Sequence, residues 1–173
     1  VVLLELYRKC GEECDKLFQQ LSAEPEENLR RDKLYLYYAQ MGRCMYSGEP
    51  IRLKELDSAY DIDHIYPQSK VKDDSLHNNR VLVRKDLNQT KSDRYPIAPD
   101  IRRNMRPFWT TLKEKGFITT EKYNRLVRAT PFDENELTGF INRQLVESRQ
   151  PCKKEAERMN NRSGNQTEMA AVF

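Results

Sequence analysis

The stretch "AYDIDHIYPQS", residues 59–69, decides how this chain folds. It has the alternation of a strand, yet it sets Asp61, Asp63 and His64 inside that pattern. The chain has two histidines and spends one of them directly beside an aspartate. A buried strand keeps such groups only where they find partners or perform a task. Pro67 limits further pairing, so the strand is expected to be short.

Reading outward, "NRVLVRKD" is a second strand carried by Val81, Leu82 and Val83, and the polar segment "QSKVKDDSLHN" is the loop between the two. Asp86 is placed to cap a short helix through "LNQTKSD". The local order is therefore strand, loop, strand, helix. Upstream, "CMYSGEPI" reads as a short extended piece with a turn at Ser47-Gly48. Leu3, Leu6, Cys10, Cys14, Leu17, Phe18 and Leu21 recur at helical spacing and predict one amphipathic helix over 2–22. Pro25 suits the first turn of a second helix, which runs through "LRRDKLYLYYAQM" and stops at Gly42. Its tyrosines, Tyr35, Tyr37 and Tyr38, read as packing groups.

Downstream the chain is helical. "APDIRRNMRPFWTTLKEKG" ends at Gly116, with Pro107 expected to bend or restart it. "TTEKYNRLVRA" is a shorter helix. Asp133 and Glu136 open another as a capping box, with Leu137, Phe140, Ile141 and Leu145 on its apolar face. The expected fold class is α+β, mostly helical: a small hairpin-helix core surrounded by several α-helices. Three segments are expected: an N-terminal linker helix (1–28), the main domain (29–150), and a polar C-terminal tail (151–173) that is poorly ordered.

Composition narrows the function. With 33% charged residues and no long apolar run, the chain is not a membrane protein. The opening "VVLLELYRKC" lacks the marks of a signal peptide, and a start on Val reads as a piece of something longer. Cys10, Cys14, Cys44 and Cys152 form no C-x-x-C pair, so they read as thiols in a reducing, intracellular setting. Net charge is +3, but residues 61–115 hold 12 basic against 8 acidic side chains. Lys70, Lys72, Arg80, Arg84, Lys85, Lys91, Arg94, Arg102, Arg103 and Arg106 either face phosphates or form an ordinary solvated surface.

If the hairpin closes, the end of the first strand meets the helix after the second. Asp63, His64 and Asn88 then come together. Asp63 and Asn88 offer hard oxygen ligands without a second histidine or thiolate, which favours Mg²⁺, with Mn²⁺ as a substitute, over Zn²⁺. His64 stays free as a general base, since imidazole titrates near neutrality. The plainer alternative is that Asp63 only orients His64, while Asn79 and Asn88 are turn or cap residues.

"YDIDHIYPQS…KDDSLHNNRVLV…LNQTKSD" resembles the HNH nuclease motif of the ββα-metal type. With "DKLYLYYAQMGRCMYSGEPI" and "GFINRQLVESRQ", it resembles the HNH domain of the type II CRISPR RNA-guided effector nucleases, in order from Leu29 to Gln150. The resemblance implies His64 as general base and Asp63 and Asn88 as ligands of a single Mg²⁺. It implies that Asn79, with Asn78 adjacent, braces the loop and orients the histidine. Asp61, Asp86 and Lys91 match polar positions around that site, Lys91 with a possible phosphate contact. His77 reads as surface.

The resemblance further implies hydrolysis of the DNA strand paired with guide RNA, in a bacterial cytoplasm, as part of an effector with RuvC and recognition lobes. No such lobe is recognisable here, and after Gln150 the chain is polar where the family has an apolar connecting helix. Only weak DNA binding is expected of the chain alone. Two alternatives stand beside this reading: a free-standing HNH nuclease, and a non-catalytic nucleic-acid-binding or interaction module that keeps the hairpin.

Overall fold

The computed structural model describes residues 2–146, in two compact units. The first holds residues up to 69 together with 73–131, and the second holds 70–72 and the described residues from 132 onward. The expectation of a poorly ordered tail at 151–173 lies outside the described residues.

The first unit contains one antiparallel pair, β1 (Tyr60–His64) and β2 (Arg80–Arg84). Ile62 faces Leu82 and Asp63 faces Val81 in the register. The Val81, Leu82 and Val83 run is fully buried, as an apolar triplet in a two-stranded sheet must be when helices cover it. Gln40, itself fully buried, stands in for a third strand at Leu82. Its Oε1 accepts from Leu82 N at 2.7 Å, and its Nε2 donates to Leu82 O at 2.9 Å. An edge that would otherwise leave buried backbone groups unpaired is thereby satisfied.

Seven helices belong to this unit: α1 (Val2–Cys10), α2 (Asp15–Ala23), α3 (Asp32–Ala39), α4 (Leu56–Ala59), α5 (Lys85–Lys91), α6 (Pro99–Glu114) and α7 (Thr120–Val127). The mostly helical α+β class is the one the sequence predicts. Met105, Trp109 and Leu112 on α6 are buried, and Trp109 Nε1 donates to Met45 O at 2.8 Å. Tyr37 and Tyr38 are buried packing groups, and Tyr7 donates to Tyr38 O. Gly42, at φ 70°, ends the segment after α3; a Cβ there would meet the Tyr37 hydroxyl at 3.2 Å and its ring at 3.3 Å.

Four local expectations are corrected. The single helix over 2–22 is two helices, because Gly11 takes φ 89° and turns the chain through a short 3₁₀ segment, Glu12–Cys14. Across that turn Cys10 and Cys14, read as thiols, are joined as a disulfide with Cα atoms 5.9 Å apart. Cys44 is a free, buried thiol. Pro107 neither breaks nor restarts α6. It lies on the exposed face, where water can satisfy the carbonyl left unpaired, while the buried stripe of Met105, Trp109 and Leu112 holds both halves in register. Asp86 does not cap α5. Arg84 occupies the cap position, and the Asp86 carboxylate accepts from it at 3.1 and 2.6 Å.

In the second unit, a helix α8 runs over 134–146. The capping box forms as expected: Glu136 N donates to Asp133 Oδ1 at 2.7 Å, and Asp133 N to Glu136 Oε1 at 3.5 Å. Ile141 and Leu145 on its apolar face are exposed.

Candidate active site

β1 ends at His64, and α5 begins directly after β2, with no connecting loop. Closing the hairpin therefore lays α5 beside the end of β1. Asp63, His64 and Asn88 all line one open cavity of about 340 Å³, together with Ser92 and Asp93. Ser92, at φ 52°, ends α5 on the rim of this cavity. A non-glycine residue in that region is uncommon and costs backbone energy.

Asp63 is buried but not lost to packing. Its Oδ2 accepts from Tyr46 Oη at 2.7 Å and pairs with Lys91 Nζ at 3.0 Å. Among the described residues nothing donates to its Oδ1. Burial, and then the charge of Asp63, push the Tyr46 hydroxyl well above its ordinary value, so it stays a donor. Asn88 Nδ2 donates to Asp61 Oδ2 at 3.4 Å, which leaves the amide oxygen for the cavity. Lys85 Nζ lies 3.9 Å from the other Asp61 oxygen. Asp61 thus sits behind Asn88.

Lys91 is buried, bridging Asp63 and His64 O, to which its ammonium donates at 3.0 Å. It faces inward at the site rather than outward to solvent. Asp86 stays on the surface with Arg84 and does not line the cavity.

Asn79, fully buried, ties the loop ends together. Its Oδ1 accepts from Tyr66 N at 2.8 Å, and its Nδ2 donates to Tyr66 O at 3.1 Å and Asp73 O at 2.8 Å. The adjacent Asn78 instead accepts from Thr119 at 2.9 Å. Asn79 does not reach the His64 ring. That contact comes from Asp74, whose Oδ1 lies 2.8 Å from His64 Nε2. His77 is exposed, edge-on to Tyr35.

Sequence reasoning missed Asp74 and the way α7 holds the loop. Lys122 Nζ donates to Leu76 O at 3.0 Å and Arg80 O at 2.7 Å, and Arg125 pairs with Asp73 at 2.7 Å while lying over the Tyr66 ring. Ile118, Lys122 and Leu126 stand four residues apart, all buried. That spacing was the available signal that Lys122 lies on an apolar stripe. Of the basic run, Arg80 and Arg84 are ion-paired, whereas Arg102, Arg103 and Arg106 line a separate cavity of about 290 Å³.

Among the described residues no group of three or more His, Cys, Asp or Glu converges on one point. Asp63 Oδ1 and the Asn88 amide oxygen offer one carboxylate and one amide donor, and the cavity they line also holds Asp93, all oxygen donors. That fits Mg²⁺, which keeps most of its waters and takes one or two carboxylates, better than an ion needing a full protein cage.

Residues 44–97 match the family model described as HNH endonuclease. The chain is 42% identical over 154 residues to the CRISPR-associated endonuclease Cas9 of Streptococcus mutans, an overlap of 87% of this chain and 11% of the relative. It is 38% identical over 148 residues to that of Listeria innocua, covering 83% of this chain and 11% of the relative. The Cas9 of Staphylococcus aureus is 32% identical over 130 residues, 68% of this chain and 12% of the relative. The chain therefore spans about a ninth of the length of these relatives.

Proposed function

This chain belongs to the HNH endonucleases as the HNH domain of a Cas9, and from that premise we propose that it hydrolyses DNA phosphodiester bonds in a Mg²⁺-dependent reaction. The observation that carries the reading is the shared cavity: the adjacent Asp63 and His64 of β1 and the sequence-distant Asn88 of α5 line the same open space.

In this reading the free Oδ1 of Asp63 and the amide oxygen of Asn88 hold the divalent cation, Mg²⁺ or Mn²⁺. Such an ion, when bound, supplies charge stabilisation at the phosphate and the leaving oxygen. Lys91 and Tyr46 fix the Asp63 carboxylate from its buried side. Asp61 holds the Asn88 amide with its oxygen outward. His64 accepts a proton from the attacking water, and cleavage leaves a 5′-phosphate and a 3′-hydroxyl. Asn79 keeps the loop closed around the site.

The substrate is the DNA strand paired with guide RNA, delivered by the rest of a larger effector. Two features support delivery over independent capture. The chain matches only about 11% of its first relatives, and its net charge of +3 is small for a protein that must grip a polyanion alone. Arg102, Arg103 and Arg106 supply backbone contacts. A bacterial cytoplasm suits such a role, although the Cys10–Cys14 bond is unusual for a reducing compartment. Among the described residues no helix is long and apolar enough to cross a membrane.

The test is incubation of the chain with labelled single-stranded, duplex and guide-paired DNA, with Mg²⁺, Mn²⁺ or chelator, beside His64→Ala. Loss of the base should slow cleavage by roughly 10²- to 10⁴-fold. Equal cleavage by the two proteins would reject the assignment.

A further inference from the structure

We propose that Asp74 is the residue that orients the His64 imidazole, holding it in the tautomer that carries its proton on Nε2 and leaves Nδ1 as the proton acceptor. The proposal rests on the reading of His64 as general base and names the group that prepares it.

The geometry makes the assignment at atomic level. Asp74 Oδ1 lies 2.8 Å from His64 Nε2. The hydrogen bond from His64, and then the charge of Arg80, hold the Asp74 carboxyl below its ordinary value, so it is ionised at neutral pH. An ionised carboxylate only accepts, so Nε2 must donate. In a neutral imidazole the proton is then absent from Nδ1, the nitrogen with a lone pair to receive one from water. Asn79 cannot take this part, because its amide is already committed to Tyr66 and Asp73.

Asp74 is exposed, yet its position is not arbitrary. The preceding residue is fixed three times: Asp73 O accepts from Asn79, its Oδ1 accepts from Ser75 N at 2.9 Å, and its Oδ2 pairs with Arg125 at 2.7 Å. Arg80 Nε lies 3.7 Å from Asp74 Oδ1, while Arg80 is itself anchored to Asp32 at 2.9 Å. The loop therefore presents a carboxylate to the ring from a braced backbone. An exposed pair of this kind adds little to stability, so its removal should leave the fold intact. That separates a positioning role from a structural one.

The experiment is a long-range ¹H–¹⁵N correlation spectrum of the metal-free, ¹⁵N-labelled chain, about two pH units above the ordinary imidazole value. The chain has two histidines, so His77→Gln assigns the signals. His64 should show the Nε2–H tautomer. Asp74→Ala should mix the two tautomers, Asp74→Glu should restore the single one, and Asp74→Ala should cleave DNA about 10- to 100-fold more slowly than wild type with KM unchanged. A dominant Nδ1–H tautomer in the wild type, or one unchanged in Asp74→Ala, would overturn the proposal. Undiminished cleavage by His64→Ala would instead reject the base assignment, whatever the spectrum shows.

Discussion

Lys91 Nζ lies 3.0 Å from Asp63 Oδ2, and the two side chains are only 6% and 8% exposed. A carboxylate proposed as a metal ligand is thus already half neutralised from its buried side, with its other oxygen left for the cavity. The ammonium is a fixture of the site, and its burial is affordable only because the partner is there.

Lys91→Met should therefore destabilise the metal-free chain by about 3–5 kcal/mol, since it leaves Asp63 a buried charge without its cation. A divalent ion would relieve part of that cost, so Mn²⁺ should raise the Tm of Lys91→Met more than that of wild type. Thermal unfolding with and without Mn²⁺ checks both parts. Equal Mn²⁺ shifts in the two proteins would count against a cation beside Asp63.

Asn79→Ala should cost roughly 3 kcal/mol or more. It strips partners from Tyr66 N, Tyr66 O and Asp73 O, which are half-buried, so each loss falls toward the low end of about 1–3 kcal/mol. Asn78→Ala loses one contact, with Thr119, and should cost far less. Urea denaturation of the two variants distinguishes them. Equal losses would show that the loop is not braced at Asn79.

Burial, and secondarily Arg80, pull the Lys122 ammonium down to about 7 from its ordinary 10.5. Between these values the unfolded chain holds the proton and the folded chain does not. Stability tied to this group therefore rises with pH across that window, and below about 7 the full penalty is in place. Lys122→Met removes the group. Measured between about pH 7 and pH 10, wild type should gain stability relative to the variant. Parallel curves would show that Lys122 keeps an ordinary affinity for its proton.

The hairpin and α5 were legible because their signals are local. Val81, Leu82 and Val83 leave no doubt about a buried strand, and Asp63 and His64 are conspicuous inside one. The meeting of Asp63, His64 and Asn88 followed from closing the hairpin, but the contacts made by the loop and by the buried face of α5 were not legible. Asp74 is ten residues from His64 in a polar loop, where nothing in the local pattern marks one acidic residue above its neighbour Asp73. The sequence places Lys91 beside the site, but as a group facing phosphate, and only the docking of α5 on β1 turns its ammonium inward onto Asp63. Gly11 sits within a stripe of apolar residues periodic enough to hide the break. Pro107 misled in the opposite direction, because tertiary packing along α6 outweighed the lost hydrogen bond.

Asp63 and Asn88 are proposed to share one divalent cation. Titration of Mn²⁺ into wild type, Asp63→Asn and Asn88→Ala, followed by calorimetry or electron paramagnetic resonance, tests it without relying on catalysis. One site is expected in the wild type, with an affinity at least about 10-fold weaker in each variant, since each loses one of two direct ligands. Binding of equal strength in all three proteins would contradict it.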